Sequence, residues 1–345
     1  MSYSVPVVDK NGIPLMPTSS WRAARWIKSR KATPFWSRGV WCVRLNVDPS
    51  DRKTQPIAVG IDPGSKREAF TVKSKAKTCL NVLTDAIDWV KKAIETRKTM
   101  RMFRRFRKTP CREPRFNNRK NKGMPPSTLA RWQWKLRVAK WLSRLFPISD
   151  FVVEDVKAKT KGQKKWDSIF SPLEIGKKWF YDELNKLALV TTKQGWETKA
   201  LRDELGLKKT HSKLADKFSA HNVDSWVLAW SVVGGEKKPD NESLLVIIPL
   251  QFHRRQLHAL QPSKGNIRRP YGGTRSLGFK RGSLIKYHKC GLFYIGGFSK
   301  RGISLHSLET GDRIYRNAKS MNLKFISFGG FRFSEKGFSS SLSHV

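Results

Sequence analysis

The sequence predicts an α/β protein of more than one domain, and three observations carry that expectation. Its 345 residues exceed the roughly 150 of one domain, which allows two or three. Strand-like runs open the chain and later alternate with stretches of helical period. Apolar residues make up 39%, with 13 Trp and 19 Phe, so a sizeable core can form.

The elements follow in order. In "SVPVVDKNGIPLMP", two extended pieces flank Asn11-Gly12, a pair that tolerates positive φ and so predicts a hairpin. Ser19 or Ser20 can cap a short basic helix, "WRAARWIKSRKA", before a strand, "VWCVRLNV". Residues 1–53 thus form one unit. "PIAVGID", "AFTVKSK" and "TCLNVL" then predict an antiparallel meander. From 85 to 122 the pattern is helical and strongly basic. Arg97, Arg101, Arg104 and Lys108 fall on one helix face, with Phe103 and Phe106 expected to anchor the other and Pro110 and Pro114 to end the helix.

"STLARWQWKLRVAKWLSRLF" predicts a helix capped by Ser127, with Leu129, Trp132, Leu136, Ala139 and Leu142 inward. It feeds a strand, "DFVVEDV". The next stretch is mixed, helical around "SPLEIGKKWFYDELNKLAL"; a long helix, "SKLADKFSAHNVDSWVLAWSVV", is stopped by Gly234-Gly235. After residue 250, short alternating segments between turns ("GSLIKYHK", "GLFYIGGFS", "GISLHSL", "RIYRNAK") predict a small β-barrel, and the last residues, 336–345, a disordered tail. No internal repeat is present.

Charge points to the partner. The 69 Lys and Arg against 27 Asp and Glu give a formal +42, which repels itself in a compact fold unless a polyanion neutralises it. Nucleic acid is that polyanion, and a ribosomal-type RNA-binding protein is the plainest reading of charge alone. Cys42, Cys79, Cys111 and Cys290 form no C-x-x-C pair, so neither a zinc ribbon nor a disulfide framework is expected. No apolar run reaches the roughly 18 residues of a membrane span. The N-terminus lacks signal-peptide character, so an intracellular, cytoplasmic protein is expected.

Acids stand where packing would not choose them. Asp62 ends a strand and precedes Pro63-Gly64; Glu154 ends another; His221 and Asp224, three apart, would share a helix face. Hard divalent cations prefer such oxygen ligands, and two ions about 3.5–4 Å apart suit phosphodiester cleavage. Asp62 would bridge them, with Glu154 and Asp224 as the further ligands and His221 ligating or moving a proton. Asp155 rivals Glu154, because alternation sends the two to opposite faces without saying which faces the site. Each piece has an ordinary reading: a turn, a solvated strand end, a surface pair. Their order within so basic a chain is what points to catalysis.

"GIDPGSK", "FVVEDV" and "HNVDSWVLAW" resemble the three split segments of a RuvC-type nuclease, an RNase H-like fold. The Arg-rich stretch resembles a bridge helix, and "PLMP", Pro14 to Pro17, matches the motif of the PLMP domain of transposon-encoded IscB and IsrB proteins. "FHRRQLH" and "GGTRSLGFKRGSLI" resemble that group's C-terminal region. Residues 155–220 are too few, and too poor in His and Cys, for the HNH domain of IscB, so the resemblance is to the IsrB family. The domains would be PLMP (1–53), the first RuvC segment (54–90), the bridge helix (91–122), the second and third RuvC segments (123–250) and a β-domain meeting the target-adjacent motif (251–335). The resemblance implies a monomeric ribonucleoprotein that uses an ωRNA guide to nick the non-target strand of double-stranded DNA beside a short motif. It implies two Mg²⁺ ions, replaceable by Mn²⁺, and no zinc. Arg97, Arg101, Arg104, Arg105 and Lys108 would grip the guide. Arg268, Arg275, Lys280, Arg281 and Lys286 are candidates at the DNA motif, with no means of choosing among them. The thirteen Trp are expected mainly in the core, though Trp21, Trp26 and Trp36 could stack on bases. The other readings are a non-catalytic guide-RNA scaffold and an RNA-independent, structure-specific RuvC-like endonuclease.

Overall fold

The computed structural model describes residues 4–108, 124–155, 172–210, 212, 215–251, 275–288, 291–299 and 302–336. The fold is mixed α/β, centred on a seven-stranded sheet. Strands β5 (Ile57–Asp62), β6 (Arg67–Ser74) and β7 (Thr78–Asp85) form the expected antiparallel meander. After an excursion, β8 (Asp150–Asp155) returns parallel to β5, setting Gly60 opposite Val152 and Ile61 opposite Val153. Beyond it lies β9 (Leu189–Gln194), also parallel. On the other side, β10 (Leu244–Pro249) runs parallel to β7.

Side-chain alternation divides this sheet between two helical layers. Ile57, Val59 and Ile61 of β5 and Phe151 and Val153 of β8 join one core cluster. That cluster includes Trp132, Leu136, Ala139 and Leu142 of α3 (Pro126–Leu142) and Phe180 and Leu184 of α4 (Pro172–Asn185). On the opposite face Ala58 packs with Ala229 and Val233, while Ala69, Leu83, Leu244 and Val246 meet Val223, Trp226 and Val227. These last residues belong to α6 (Asn222–Val233), with α5 (Gly195–Glu204) beside it.

The N-terminal sheet has the order β2-β1-β4-β3, from β1 (Ser4–Val8), β2 (Pro14–Ser19), β3 (Ala32–Ser37) and β4 (Val40–Leu45). Helix α1 (Ser20–Lys28) is capped by Ser19, whose hydroxyl accepts from Arg22 N. Trp26 packs against the small core of Val5, Val7, Leu15 and Val43, so packing claims it. Trp21 is 67% exposed, with the Arg25 guanidinium 4.7 Å from its ring centre. Trp36 is half-buried, opposite Trp41.

Several elements depart from their sequence expectations. Helix α3 begins at Pro126, so Ser127 lies inside its first turn; proline, with no N–H to satisfy, suits that position. The basic helix α2 (Trp89–Phe106) ends before Pro110 and Pro114, which lie outside the described residues. Lys108 stands beyond its end at φ 51°, so it does not continue the Arg97, Arg101, Arg104 row. Phe103 and Phe106 are 60% and 87% exposed and anchor nothing among the described residues, because α2 meets the body mainly along α3 and buries no residue. The expected long helix is only α6, preceded by a 3-10 turn (Phe218–Ala220), so His221 is not helical and shares no helix face with Asp224.

The C-terminal strands β13 (Ser283–Tyr287), β14 (Leu292–Ser299), β15 (Gly302–Ser307), β16 (Arg313–Ala318) and β17 (Leu323–Phe328) form an antiparallel sheet ordered β16-β15-β14-β13-β17. A short ribbon of β11 (Arg275–Ser276) and β12 (Phe279–Lys280) adjoins it. Among the described residues no pairing joins β16 to β17, so the sheet is open in place of the expected closed barrel. The last strand, β18 (Phe331–Lys336), leaves this unit and pairs antiparallel with β10, a return that a division at residue 251 does not anticipate. Phe331 and Phe333 pack into the central core. Lys336, expected to open the disordered tail, instead ends β18 opposite Leu244; "FHRRQLH" and the rest of the tail, 337–345, lie outside the described residues.

One residue fixes the spacing between sheet and helix. A Cβ on Gly60 would lie 1.8 Å from the Ser225 carbonyl oxygen and 2.8 Å from the Ala229 nitrogen. No rotamer relieves a backbone collision, so Gly60→Ala is expected to cost about 3 kcal/mol or more, the upper end for overpacking. Urea denaturation checks this; a loss under about 1 kcal/mol would show that α6 is not held there.

Candidate active site

The close approach at Gly60 brings the start of α6 down onto the ends of β5 and β8. Two polar side chains pin it. Asn222 Nδ2 donates to the carbonyls of Phe70 and Val82, each at 3.2 Å, and Ser225 Oγ lies 2.8 Å from Thr71 Oγ1. Both residues are fully buried, so these bonds form away from water and fix the rotation of the helix. That rotation places Asp224, 2% exposed, beside the carboxyl groups of Asp62 and Glu154.

Asp62 has the same parity along β5 as Ala58 and Gly60, so it faces α6. The chain leaves it by a turn tight enough that a Cβ on Gly64 would lie 1.8 Å from the Arg67 carbonyl oxygen. Glu154 has the parity of Val152 and faces the same way. The carboxyl groups of Asp62 and Glu154 lie within hydrogen-bonding reach of each other. Burial is the main reason the Asp62 carboxyl sits well above the usual carboxylate range. Glu154 and Asp224 push it the same way, while Lys209 opposes them. Burial and then Asp224 likewise raise Glu154, against the bonds from Asp62 and Thr198 and the charge of Lys209.

Asp155 takes the other face, which answers the question that alternation left open. It accepts hydrogen bonds from Lys177 at 2.7 Å and from Tyr181 and Gln194 at 3.0 Å each. Burial pushes its pKa up, but these three donors outweigh it and hold the carboxyl below its ordinary value. Asp155 is therefore satisfied within the α4 layer, and Glu154 is the acid at the site.

His221 lines, with Asp62, a groove of about 1100 Å³. Its backbone, at φ −138° and ψ −48°, joins the 3-10 turn to α6. The same groove is walled by Lys66, Arg67, Arg202 and Lys209. Arg67 is itself ion-paired with Asp85 and, at 3.0 Å, with Asp216. Arg202 and Lys209 were not singled out from sequence. Both pair with Asp224, Arg202 Nη1 at 2.5 Å from Oδ1 and Lys209 Nζ on Oδ2. Burial lowers the Lys209 pKa, but Asp224, Asp62 and Glu154 together raise it above its ordinary value.

The oxygen donors of Asp62, Glu154 and Asp224 fit a hard divalent cation in chemistry. Among the described residues no group of three or more His, Cys, Asp or Glu is arranged as a metal site, and both Asp224 oxygens face cations. Farther away, Arg97, Arg101, Arg104 and Arg105 are all exposed on α2, without an ion-pair partner among the described residues. In the C-terminal sheet, Arg281, Arg313 and Arg316 converge on a concavity of about 360 Å³. Of the other candidates there, Arg275 bonds its own turn at Gly278 O and Lys280 lies 5.0 Å from the Phe328 ring centre; Arg268 lies outside the described residues. No described helix is long and apolar enough to cross a membrane.

Among known proteins, a family model described as RRXRR protein matches residues 5–167. No curated protein matches the chain. The RuvC of T. thermophilus, solved in complex with a Holliday junction substrate, is 15% identical over 52% of this chain and 97% of that one. The TM-score is 0.27, a likeness too weak to carry an argument.

The raised carboxyl has a thermodynamic consequence. Folded Asp62 keeps its proton above the pH at which the unfolded chain loses it, so stability falls as pH rises through that interval. Asp62→Asn is therefore expected to raise the thermal midpoint of metal-free protein at neutral pH. The gain should vanish as pH is lowered to the ordinary aspartate value of 3.8. An unchanged or lower midpoint at neutral pH would contradict the assignment.

Proposed function

We propose that this chain is a divalent-metal-dependent endonuclease with a RuvC-type, RNase H-like core, acting as an RNA-guided nickase. The observation that carries the reading is the meeting of Asp62, Glu154 and Asp224, from three separate elements, at the head of a cation-walled groove. The strand order β7-β6-β5-β8-β9, antiparallel then parallel, is the arrangement an RNase H-like core requires. The RRXRR model, found in IscB- and IsrB-like proteins, supports the same reading over the first half of the chain.

In this reading Asp62 stands centrally, with Glu154 and Asp224 as the flanking ligands of two Mg²⁺ ions. Bound metal supplies an activated water and neutralises charge on the phosphoryl oxygens. The chain's own residues do the rest. Lys66 draws the strand backbone into the groove, and His221 stands on the wall where a proton can be moved. Arg97, Arg101, Arg104 and Arg105 present an unneutralised row to an RNA guide. The C-terminal sheet offers Arg281, Arg313 and Arg316 to duplex DNA. Base pairing supplies the long target sequence that so few side chains cannot read.

Nicking, as opposed to cutting both strands, follows from a single centre. Between Glu154 and His221 lie α4, β9 and α5, all belonging to the central layers. Little chain remains there for a second nuclease domain.

Purified with the RNA that accompanies it, the protein is expected to convert a supercoiled target plasmid to open circles in Mg²⁺. Asp62→Ala should lower nicking at least a hundred-fold, roughly the loss of one transition-state charge group, and leave DNA binding nearly intact. Linear plasmid as the main product, or cutting of four-way junctions without RNA, would count against guided nicking. Failure to cut a pre-unwound target in Mg²⁺ or Mn²⁺ would favour a scaffold.

A further inference from the structure

Asp224 holds two cations where its neighbours among the acids hold one or fewer. Its oxygens take Arg202 and Lys209 separately, and the side chain is almost fully enclosed. The most deeply buried ion pair of the central sheet looks different. Glu68 and Lys135 meet one to one at 2.7 Å, 0% and 5% exposed, away from the groove. Arg202 and Lys209 are 14% and 35% exposed and stand on the wall of the groove itself. They come from the end of α5 and the stretch after it, two segments that also carry Lys208 into the groove.

Such cations have a second anion within reach. A phosphate in the groove offers guanidinium and ammonium charge-assisted hydrogen bonds of the same class as those they make to the Asp224 carboxylate. Once they turn to phosphate, the Asp224 oxygens are open. While they remain, a divalent ion approaching Asp62 meets like charge at close range.

We propose that Arg202 and Lys209 exchange partners, holding Asp224 while the groove is empty and the backbone phosphates of the strand when it is filled. The proposal rests on the reading of Asp62, Glu154 and Asp224 as metal ligands. Strand binding and metal binding then favour each other, and by linkage the coupling is reciprocal. A free protein of this charge loads metal poorly and acquires it with its substrate.

Mn²⁺ is the probe, with binding to full-length, RNA-free protein followed by electron paramagnetic resonance. A short single-stranded DNA oligonucleotide fills the groove. Lys209→Met is expected to bind Mn²⁺ about tenfold more tightly than wild type without DNA, a mid-range coupling between sites. The oligonucleotide should tighten Mn²⁺ on the wild type by a similar factor and on Lys209→Met much less. Asp62→Asn gives the Mn²⁺ held by the oligonucleotide alone. Equal Mn²⁺ affinity in wild type and Lys209→Met, or equal tightening of both by DNA, overturns the exchange and leaves the metal reading standing. No Mn²⁺ above the Asp62→Asn background in any state overturns both. Should Lys209→Met fail to fold, the wild type decides alone: no tightening on adding DNA rejects the proposal.

Discussion

The structure depends on how closely helix α6 lies against strand β5. At Gly60 the two backbones touch, with no room for one carbon between them. Asn222 and Ser225 convert that contact into a fixed rotation by bonding to β6 and β7. Asp224 lies between these two pins. The carboxyl geometry is thus set by backbone contact and buried hydrogen bonds, and the acids themselves contribute repulsion. A site that opposes its own formation needs such a scaffold around it.

The two faces of the sheet handle charge differently. On the α3 and α4 face, each acid has donors of its own: Glu68 has Lys135, and Asp155 has Lys177, Tyr181 and Gln194. Asp155 is fully engaged there, while Glu68 takes Lys135 on Oε1 and keeps Oε2 buried without a hydrogen-bond partner. On the α6 face three carboxyl groups crowd together, and cations gather on the third. Unequal satisfaction of one residue type on two faces separates a structural layer from a chemical one.

The remaining elements extend this centre outward. The N-terminal sheet is tied to the central layers by the bond from Trp141 Nε1 to Ser37 Oγ, and Val40 and Cys42 enter the main core. Helix α2 projects from the sheet without a buried residue, so its stability in isolation is marginal and a polyanion along its basic row would add to it. The C-terminal sheet has its own core of Ile285, Ile295, Ile303 and Leu305, yet the chain comes back through β18 to the central sheet. That return links the outer sheet to the central sheet that carries the acids.

The sequence by itself determined the strands β5 to β8, because their apolar alternation and flanking turns are local properties. It also marked Asp62 and Glu154, since a carboxylate closing an apolar strand is visible in one dimension. It did not show β9, whose "LVTTKQ" is mostly half-buried at the sheet edge, or the return of β18, which depends on a partner more than eighty residues away. It overextended the helix before Asn222, where packing against the sheet, not period, sets the start. Only the tertiary structure decided that Glu154 and not Asp155 faces α6, because the two faces differ in what covers them. Only it placed Arg202 and Lys209 on Asp224: both lie on segments whose charge reads as solvated surface until the fold brings a buried anion beside them.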